Sequence, residues 1–282
     1  MNVVAWFLAG LAAGLIALFL LRPVLASAAL ARTNYRGHTL ATAGGIVLVI
    51  ALVGLGAVWA LVDGMTDERG LSGAYVLVLF AAVGFGFLGM LDDLVAGEGD
   101  VRGFKGHVRA LLKGQLTTGG VKLFGGGVLA LVLVGSTIVT SPARLIVDGA
   151  IVALGANLGN LFDRAPGRVI KFSFLAYIPL ALVAGTGFVG EALAPVMGAA
   201  LALAWADQRE ELMLGDTGAN VLGGVLALGA TLVLGASARL VLLAALIALN
   251  AASELVSFSK IIDAVPPLRW FDRLGRVSDA AS

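Results

Sequence analysis

The chain has 282 residues, 59% of them hydrophobic and only 13% charged, with a mean hydropathy of +0.99. Soluble domains carry roughly 25% charged residues, so this composition cannot cover a water-facing surface and excludes a soluble globular protein. A formal net charge of +1 gives no reason to expect a nucleic-acid partner, and the absence of cysteine removes disulfides, thiol catalysis and thiolate metal sites.

A membrane-spanning helix needs about 20 mostly apolar residues. Reading from the N-terminus, nine runs meet or approach that length, near 3–21, 41–62, 73–91, 121–139, 144–162, 172–190, 191–206, 218–236 and 239–257. The runs are apolar all round, unlike the alternating strands of a membrane barrel. The predicted fold is therefore an all-α polytopic bundle of about nine transmembrane helices, with no internal repeat and no second domain. The first run lacks a basic start and is too long for a signal peptide, so it reads as a retained helix. The seventh run is short, and only Gly190 and Glu191 part it from the sixth. Those two also read as one broken or re-entrant unit.

Orientation follows from the basic residues, which concentrate on the cytoplasmic side of membrane proteins. With the N-terminus outside, the segments 22–40, 92–122, 163–171, 207–217 and 258–282 hold 16 of the 19 Lys and Arg residues. The outer segments hold only Arg69, Arg144 and Arg239. The C-terminus is accordingly expected in the cytoplasm.

Polar residues at helix ends on one face are the default functional candidates in such a bundle. Asp92 and Asp93 end the third helix, about 100° apart around it, and so suit two different jobs. Both oppose the helix dipole there, although two acids can simply mark a helix leaving the membrane. Asn157, Asn160 and Asp163 recur at i, i+3 and i+6, within roughly a third of the fifth helix's circumference. They form either a binding face or an interhelical hydrogen-bond ladder, since buried amides without partners are costly. Pro166-Gly167 ends that helix, with Arg164, Arg168 and Lys171 close by. Gly215-Asp216-Thr217-Gly218 opens the eighth helix. It reads as an ordinary N-cap or as a place where backbone and helix N-terminus approach a phosphate and Asp216 holds a bridging Mg²⁺. The loop Arg102-Gly-Phe104-Lys105-Gly-His107 with Arg109 and Lys113 reads as positive-inside topology, and Lys122, beside the membrane surface, is the best anion-binding candidate. Acids, amides and cations converging on one membrane face suit a metal-bound diphosphate and phosphoryl transfer.

With these segments in view, the chain resembles the polyprenyl-phosphate N-acetylhexosamine-1-phosphate transferases. This membrane superfamily includes phospho-N-acetylmuramoyl-pentapeptide transferase and the UDP-GlcNAc:undecaprenyl-phosphate GlcNAc-1-phosphate transferases. The matching segments are Arg36-Gly-His38 with Thr42-Ala-Gly44-Gly45, then Asp92-Asp93, Lys122, Asn157-x-x-Asn160-Leu-x-Asp163-x-x-x-Gly167, and Gly215-Asp216-Thr217-Gly218 with Leu222-Gly223-Gly224. They follow the family's order over roughly residues 30–260. The resemblance implies a bacterial multi-pass cell-membrane enzyme of envelope-polymer synthesis with its active site on the cytoplasmic face. Its partners would be a UDP-sugar, a polyprenyl phosphate, Mg²⁺ and, in the membrane, a second copy of the chain as a homodimer. By position it implies Asp216 and Asp93 as metal residues, and Asp92, Asp93, Asp163 and Lys122 as catalytic ones. Asn157, Asn160, Arg168, Lys171, Gly215, Arg269 and Arg273 would contact substrate. The chain also departs from the family. The usual histidine cluster of the last loop is replaced by Pro266-Pro267-Leu268-Arg269-Trp270-Phe271-Asp272, and His38 and His107 are the chain's two histidines. The lysine that often follows the aspartate pair is missing, and the family's terminal helix is not present. Arg269, Arg273 and Arg276 are candidates to replace the histidines as phosphate binders. The alternative implied by these losses is a family member that acts as a binding or scaffold partner in envelope assembly.

Overall fold

The computed structural model describes residues 2–34, 36–66, 71–95 and 118–277. The basic loop with Arg102, Lys105, His107, Arg109 and Lys113 lies outside the described residues. Among the described residues nine long helices follow in order: α1 (Val3–Leu25), α2 (Ile46–Thr66), α3 (Gly73–Val95), α4 (Thr118–Gly135), α5 (Pro142–Phe162), α6 (Arg168–Ala184), α7 (Phe188–Gln208), α8 (Gly215–Val233) and α9 (Ala236–Leu255). Two short ones close the chain, α10 (Phe258–Ala264) and α11 (Pro266–Arg273). Seven of them, α1–α3, α5 and α7–α9, are long and apolar enough to cross a membrane. The chain is a helical bundle of membrane type.

Helix ends are set by local chemistry. The Asn2 side chain accepts from Ala5 N at 2.8 Å to cap α1, and Ser141 accepts from Arg144 N at 3.2 Å ahead of Pro142 to start α5. The sixth and seventh runs are two separate helices, and the break falls at Gly185–Gly187, not at Gly190–Glu191. Gly185 takes a left-handed φ of 57° there, while Glu191 sits in the first turn of α7, where an acid complements the helix dipole.

The all-helical expectation also missed one small sheet. Strands β1 (Ala31–Thr33) and β2 (Thr39–Ala41) pair antiparallel with Arg32 opposite Leu40. Asn34 Oδ1 accepts from the amides of Arg36 and His38, both at 2.9 Å, and Gly37 supplies the positive φ that closes the turn.

Helices α7 and α8 are the most buried, and the others pack around them. Close approach relies on small residues, as membrane helix contacts do. Gly10 and Gly14 of α1 lie against Pro195 and Ala199 of α7, Gly45 against Gly218, and Gly155 and Gly159 of α5 against α8. Gly89 of α3 faces the start of α8 so closely that a Cβ would run into the Asp216 carbonyl and stand 2.6 Å from Thr217 Cα. Gly89→Ala is therefore expected to push α3 off α8 at a cost of about 1–3 kcal/mol, read as a lower Tm. Gly54 of α2 has nothing within 4 Å of a built Cβ, so Gly54→Ala should leave Tm unchanged or raise it.

In contrast, α9 buries only Leu246 among its side chains. Polar contacts hold its two ends. Arg239 reaches Asp148 Oδ2 of α5 at 3.0 Å, beside Arg144 at 3.2 Å, and at the other end Asn250 bonds to α5.

Candidate functional site

The C-terminal ends of α3, α5 and α7 and the N-terminal ends of α4, α6 and α8 meet at one end of the bundle. Lys122 of α4 is the hub. Its Nζ lies 3.3 Å from Asp92 Oδ2 and also bonds directly to Asp216 Oδ2. Asn160 of α5 completes the group: with its amide turned to the orientation that satisfies both of its ends, the nitrogen donates to Asp216 Oδ1 and the oxygen accepts from Lys122 Nζ at 2.5 Å. Two carboxylates and an amide thus converge on one ammonium, all four side chains partly exposed, and Asp92, Lys122 and Asn160 line a cleft of about 430 Å³.

The two neighbouring aspartates separate, as their angular spacing implies. Asp92 turns to Lys122. Asp93 turns to the start of α8, where its Oδ1 accepts from Asp216 N at 3.0 Å and its Oδ2 from Thr217 N at 3.0 Å and Thr217 Oγ1 at 2.6 Å. Helix α8 has no capping side chain of its own, because Leu214 stands at that position. A carboxylate from α3 does the capping, satisfying amides that every helix N-terminus leaves without partners. Gly215 is required at this point. Its φ is +71°, and a Cβ would lie 2.6 Å from Asp93 Oδ2 and 2.9 Å from Ala43 N. The segment after β2 braces the same turn, with Gly44 N donating to Met213 O at 3.0 Å and Gly45 N to Leu214 O at 2.8 Å.

Asp207, at the end of α7, plays the same part for the adjoining loops. Its Oδ2 accepts from Gly167 N at 2.8 Å and its Oδ1 from Leu214 N at 3.2 Å. Asp163 sits between this residue and the Lys122 group, on the wall of a second pocket of about 270 Å³ that also contains Asn34, Arg164, Asp207 and Glu210. Burial first, then the charges of Asp207, Asp216 and Asp93, pushes the Asp163 carboxyl well above its ordinary value. Glu210 gathers the first loop: Asn34 donates to it at 2.7 Å, Arg36 pairs at 3.0 Å and His38 lies at 3.7 Å.

The remaining cationic candidates are not at the hub. Arg168 forms a two-pronged pair with Asp272 at 2.8 and 3.0 Å, both residues buried, and donates to Ser259 Oγ at 2.7 Å. Lys171 bonds to the carbonyls of Asp272 and Leu274 at 2.5 and 2.9 Å, and Arg276 to Asp272 and to Pro166 O. Burial raises the Asp272 carboxyl, but hydrogen bonds and charge from Arg168, with Arg276 and Lys171, outweigh it and hold the group below its ordinary value. These cations fasten the C-terminal segment to the start of α6. A ring stack reinforces them, Phe162 lying 4.6 Å from Phe172 and 5.0 Å from Phe258. Arg269 and Arg273 lie on the exposed side of α11, Arg273 3.8 Å from Asp263.

Asn157 also turns away from Lys122. Its Nδ2 donates to Asn250 Oδ1 at 2.7 Å, and Asn250 donates to Leu154 O and Leu246 O. The interhelical ladder and the site face are thus both present on α5, one residue each. Asp207 and Asn250 are the polar residues here that the sequence reading leaves out, and Asn220 closes the cluster that opens at Leu214 without a role of its own. A single amide inside an apolar run is the available signal for Asn250, whereas Asp207 is disguised by the polar stretch Gln208–Glu211 that follows it.

Among the described residues no three carboxylate or imidazole groups form a ready-made metal cage. The set Asp92, Asp216 and the Asn160 carbonyl nevertheless fits a small hard dication. Mg²⁺ is commonly held by one or two carboxylates and fills its remaining positions with water and substrate phosphate. No protein-family model matches the chain.

Proposed function

We propose that this protein is a membrane sugar-1-phosphate transferase of the polyprenyl-phosphate N-acetylhexosamine-1-phosphate transferase type. It moves a sugar-1-phosphate from a UDP-sugar to a polyprenyl phosphate. The observation that carries the reading is the convergence of Asp92, Asp216 and Asn160 on Lys122, beside a cleft in an apolar bundle. An oxygen of the lipid phosphate attacks the sugar-proximal phosphorus. The bond from that phosphorus to the bridging oxygen breaks, and UMP leaves with the electron pair. Such transfers depend on positioning and on neutralising charge at the phosphoryl oxygens.

Each polar group then has a role. Asp216, with Asp92 and the Asn160 carbonyl, would hold Mg²⁺, which supplies charge neutralisation when bound. Lys122 neutralises phosphate oxygens and keeps the two carboxylates together. Asp92 accepts a hydrogen bond from the incoming lipid phosphate. Asp93 acts by positioning Asp216 through the first turn of α8. Asp163, its carboxyl raised by burial and by the neighbouring carboxylates, stands at the nucleotide side. Arg168 and Lys171 shape that side by fixing the last loop, and Arg269 and Arg273 are the cations free of the buried clamp to meet an incoming diphosphate.

The reading also places the site end in the cytoplasm, with nine spans and α4 and α6 among them. A reporter active only outside the membrane, fused after Ser282, is expected to be silent, and a strong signal from it would reverse the orientation. The decisive experiment is radiolabel transfer from a panel of UDP-sugars to undecaprenyl phosphate by purified protein with Mg²⁺. Label appearing in lipid with release of UMP is the expected result. A folded protein that transfers from no UDP-sugar would overturn the enzyme reading in favour of a binding or scaffold member of the family.

A further inference from the structure

A separate cavity of about 490 Å³ lies where α1 and α7 end beside the β1–β2 hairpin. Its walls include Leu18, Arg22 and Leu25 of α1, Thr39 of β2, and Glu211 and Leu212 beyond α7. The two helices run side by side, with Gly10 against Pro195 and Gly14 against Ala199. The hairpin is pinned from three sides. Met213 N donates to Ala41 O at 2.7 Å, Arg32 to Leu94 O at 2.9 Å, and Asn34 to Glu210 at 2.7 Å. The concavity is therefore formed in advance, and its volume lies within the roughly 300–1,000 Å³ usual for small-molecule sites.

The cavity sits at the level of lipid headgroups. Helix α1 has 23 residues, a length of roughly 34 Å, which is close to the thickness of a bilayer's hydrocarbon core. Arg22 stands in its last turn. On α7, Trp205 is exposed and carries the Arg209 guanidinium 4.3 Å above its ring, the kind of aromatic residue that marks a membrane–water boundary. Further from these ends both helices expose apolar side chains, Leu15 and Phe19 on α1 and Leu201 on α7.

Arg22 and Glu211 are the two charged residues of the cavity wall, and they do not pair with each other. Arg22 lies 5.9 Å from the Phe19 ring. Neither side chain makes a hydrogen bond or an ion pair among the described residues. Two opposite charges held apart on one preformed cavity favour a ligand that carries both, a phosphodiester with an ammonium a few bonds away. Charge-assisted hydrogen bonds to each end are the strong kind. An anionic headgroup without an amine would satisfy Arg22 and be repelled by Glu211. A choline headgroup presents methyl groups where Glu211 needs an N–H.

We propose that this cavity binds the headgroup of a zwitterionic phospholipid bearing a primary amine. Its phosphate meets Arg22, its ammonium meets Glu211, and its acyl chains lie along the apolar faces of α1 and α7. The assignment does not depend on the transferase reading. A ligand bound here stabilises the folded protein by mass action, and it does so against the segment that runs through Leu212 and Met213 to the Gly215 turn.

The test compares dioleoyl phosphatidylethanolamine, phosphatidylcholine and phosphatidylglycerol, which differ only in headgroup. Each is added to the purified, delipidated full-length protein in detergent, and binding is read by native mass spectrometry with Tm in parallel. The parent is expected to bind the ethanolamine lipid about tenfold more tightly than the other two, the scale of one hydrogen bond to a charged group, and to gain the largest rise in Tm from it. Glu211→Gln should remove that preference and leave choline-lipid binding unchanged. Arg22→Gln should weaken all three lipids, and Arg22→Lys, which keeps the charge, serves if glutamine lowers the lipid-free Tm. A parent that prefers the glycerol lipid has an anionic-lipid site, which overturns the proposal. Equal binding of all three lipids, or an ethanolamine preference that survives Glu211→Gln, overturns it as well.

Discussion

Asp216→Asn is expected to abolish Mg²⁺-dependent transfer, by at least about a hundredfold, the scale on which removing one transition-state electrostatic group acts. The folded protein should stay in the membrane at parental abundance. The change is close to isosteric, and the contacts that anchor this turn belong to the backbone of Asp216 and to Thr217, both held by Asp93. What is lost is one of two carboxylates on Lys122 and the anionic ligand a hard cation prefers. The measurements are label transfer at saturating Mg²⁺ and the detergent-solubilised yield. Activity within a few-fold of the parent would take Asp216 out of the metal site. Asp93→Asn provides the contrast: it should lower both activity and Tm, because it weakens the cap of α8.

Asp272→Ala should be the most destabilising single change at this end of the molecule, by about 3–5 kcal/mol, the cost of stranding one partner of a buried ion pair. Arg168 is 3% exposed and would keep only Ser259 as a side-chain partner, while the i,i+4 pair with Arg276 would also go. The readouts are a lower Tm and faster protease cleavage after residue 255. Replacing Arg168 and Asp272 together by Met and Leu should cost much less than the sum of the single changes, a coupling that a double-mutant cycle isolates. The pH dependence follows from the same pair. The folded-state carboxyl lies below its unfolded value, so the clamp contributes its full stability above the ordinary carboxyl range. That contribution is lost as pH falls through the lowered folded value. Rising Tm on acidification through this range would contradict the clamp.

How much of this could be read from residues alone depends on the distance over which each contact acts. The runs of apolar residues announce the helices, and Gly-Asp-Thr-Gly, Lys122 and the Asn-Asp segment point to a shared end because each carries a local pattern. The division of labour between Asp92 and Asp93 is only half legible. Their 100° separation predicts two jobs, but which one faces Lys122 depends on how α3 is rotated against α8. Asn157 has the same ambiguity, settled by Asn250, 93 residues away on another helix. The Arg168–Asp272 clamp spans 104 positions. Its members lie in polar loops where charge is expected, so nothing local marks them as buried. The break at Gly185 is hard to place from residues alone, because Glu191, a charge in an apolar run, looks like an interruption and is in fact a favourable first-turn acid.

The borrowed cap of α8 bears on how the protein is made. During synthesis α3 leaves the ribosome more than a hundred residues before α8, and the start of α8 gains its missing acceptor only when it docks against a helix already in the bilayer. The hub therefore closes late, after the four helices α4–α7 have been threaded. A chain stalled before residue 215 would hold Asp92, Asp93 and Lys122 without the helix that gathers them. In such a chain Asp92 and Lys122 can still pair, and Asp93 is the carboxylate that lacks the α8 amides it caps in the finished protein.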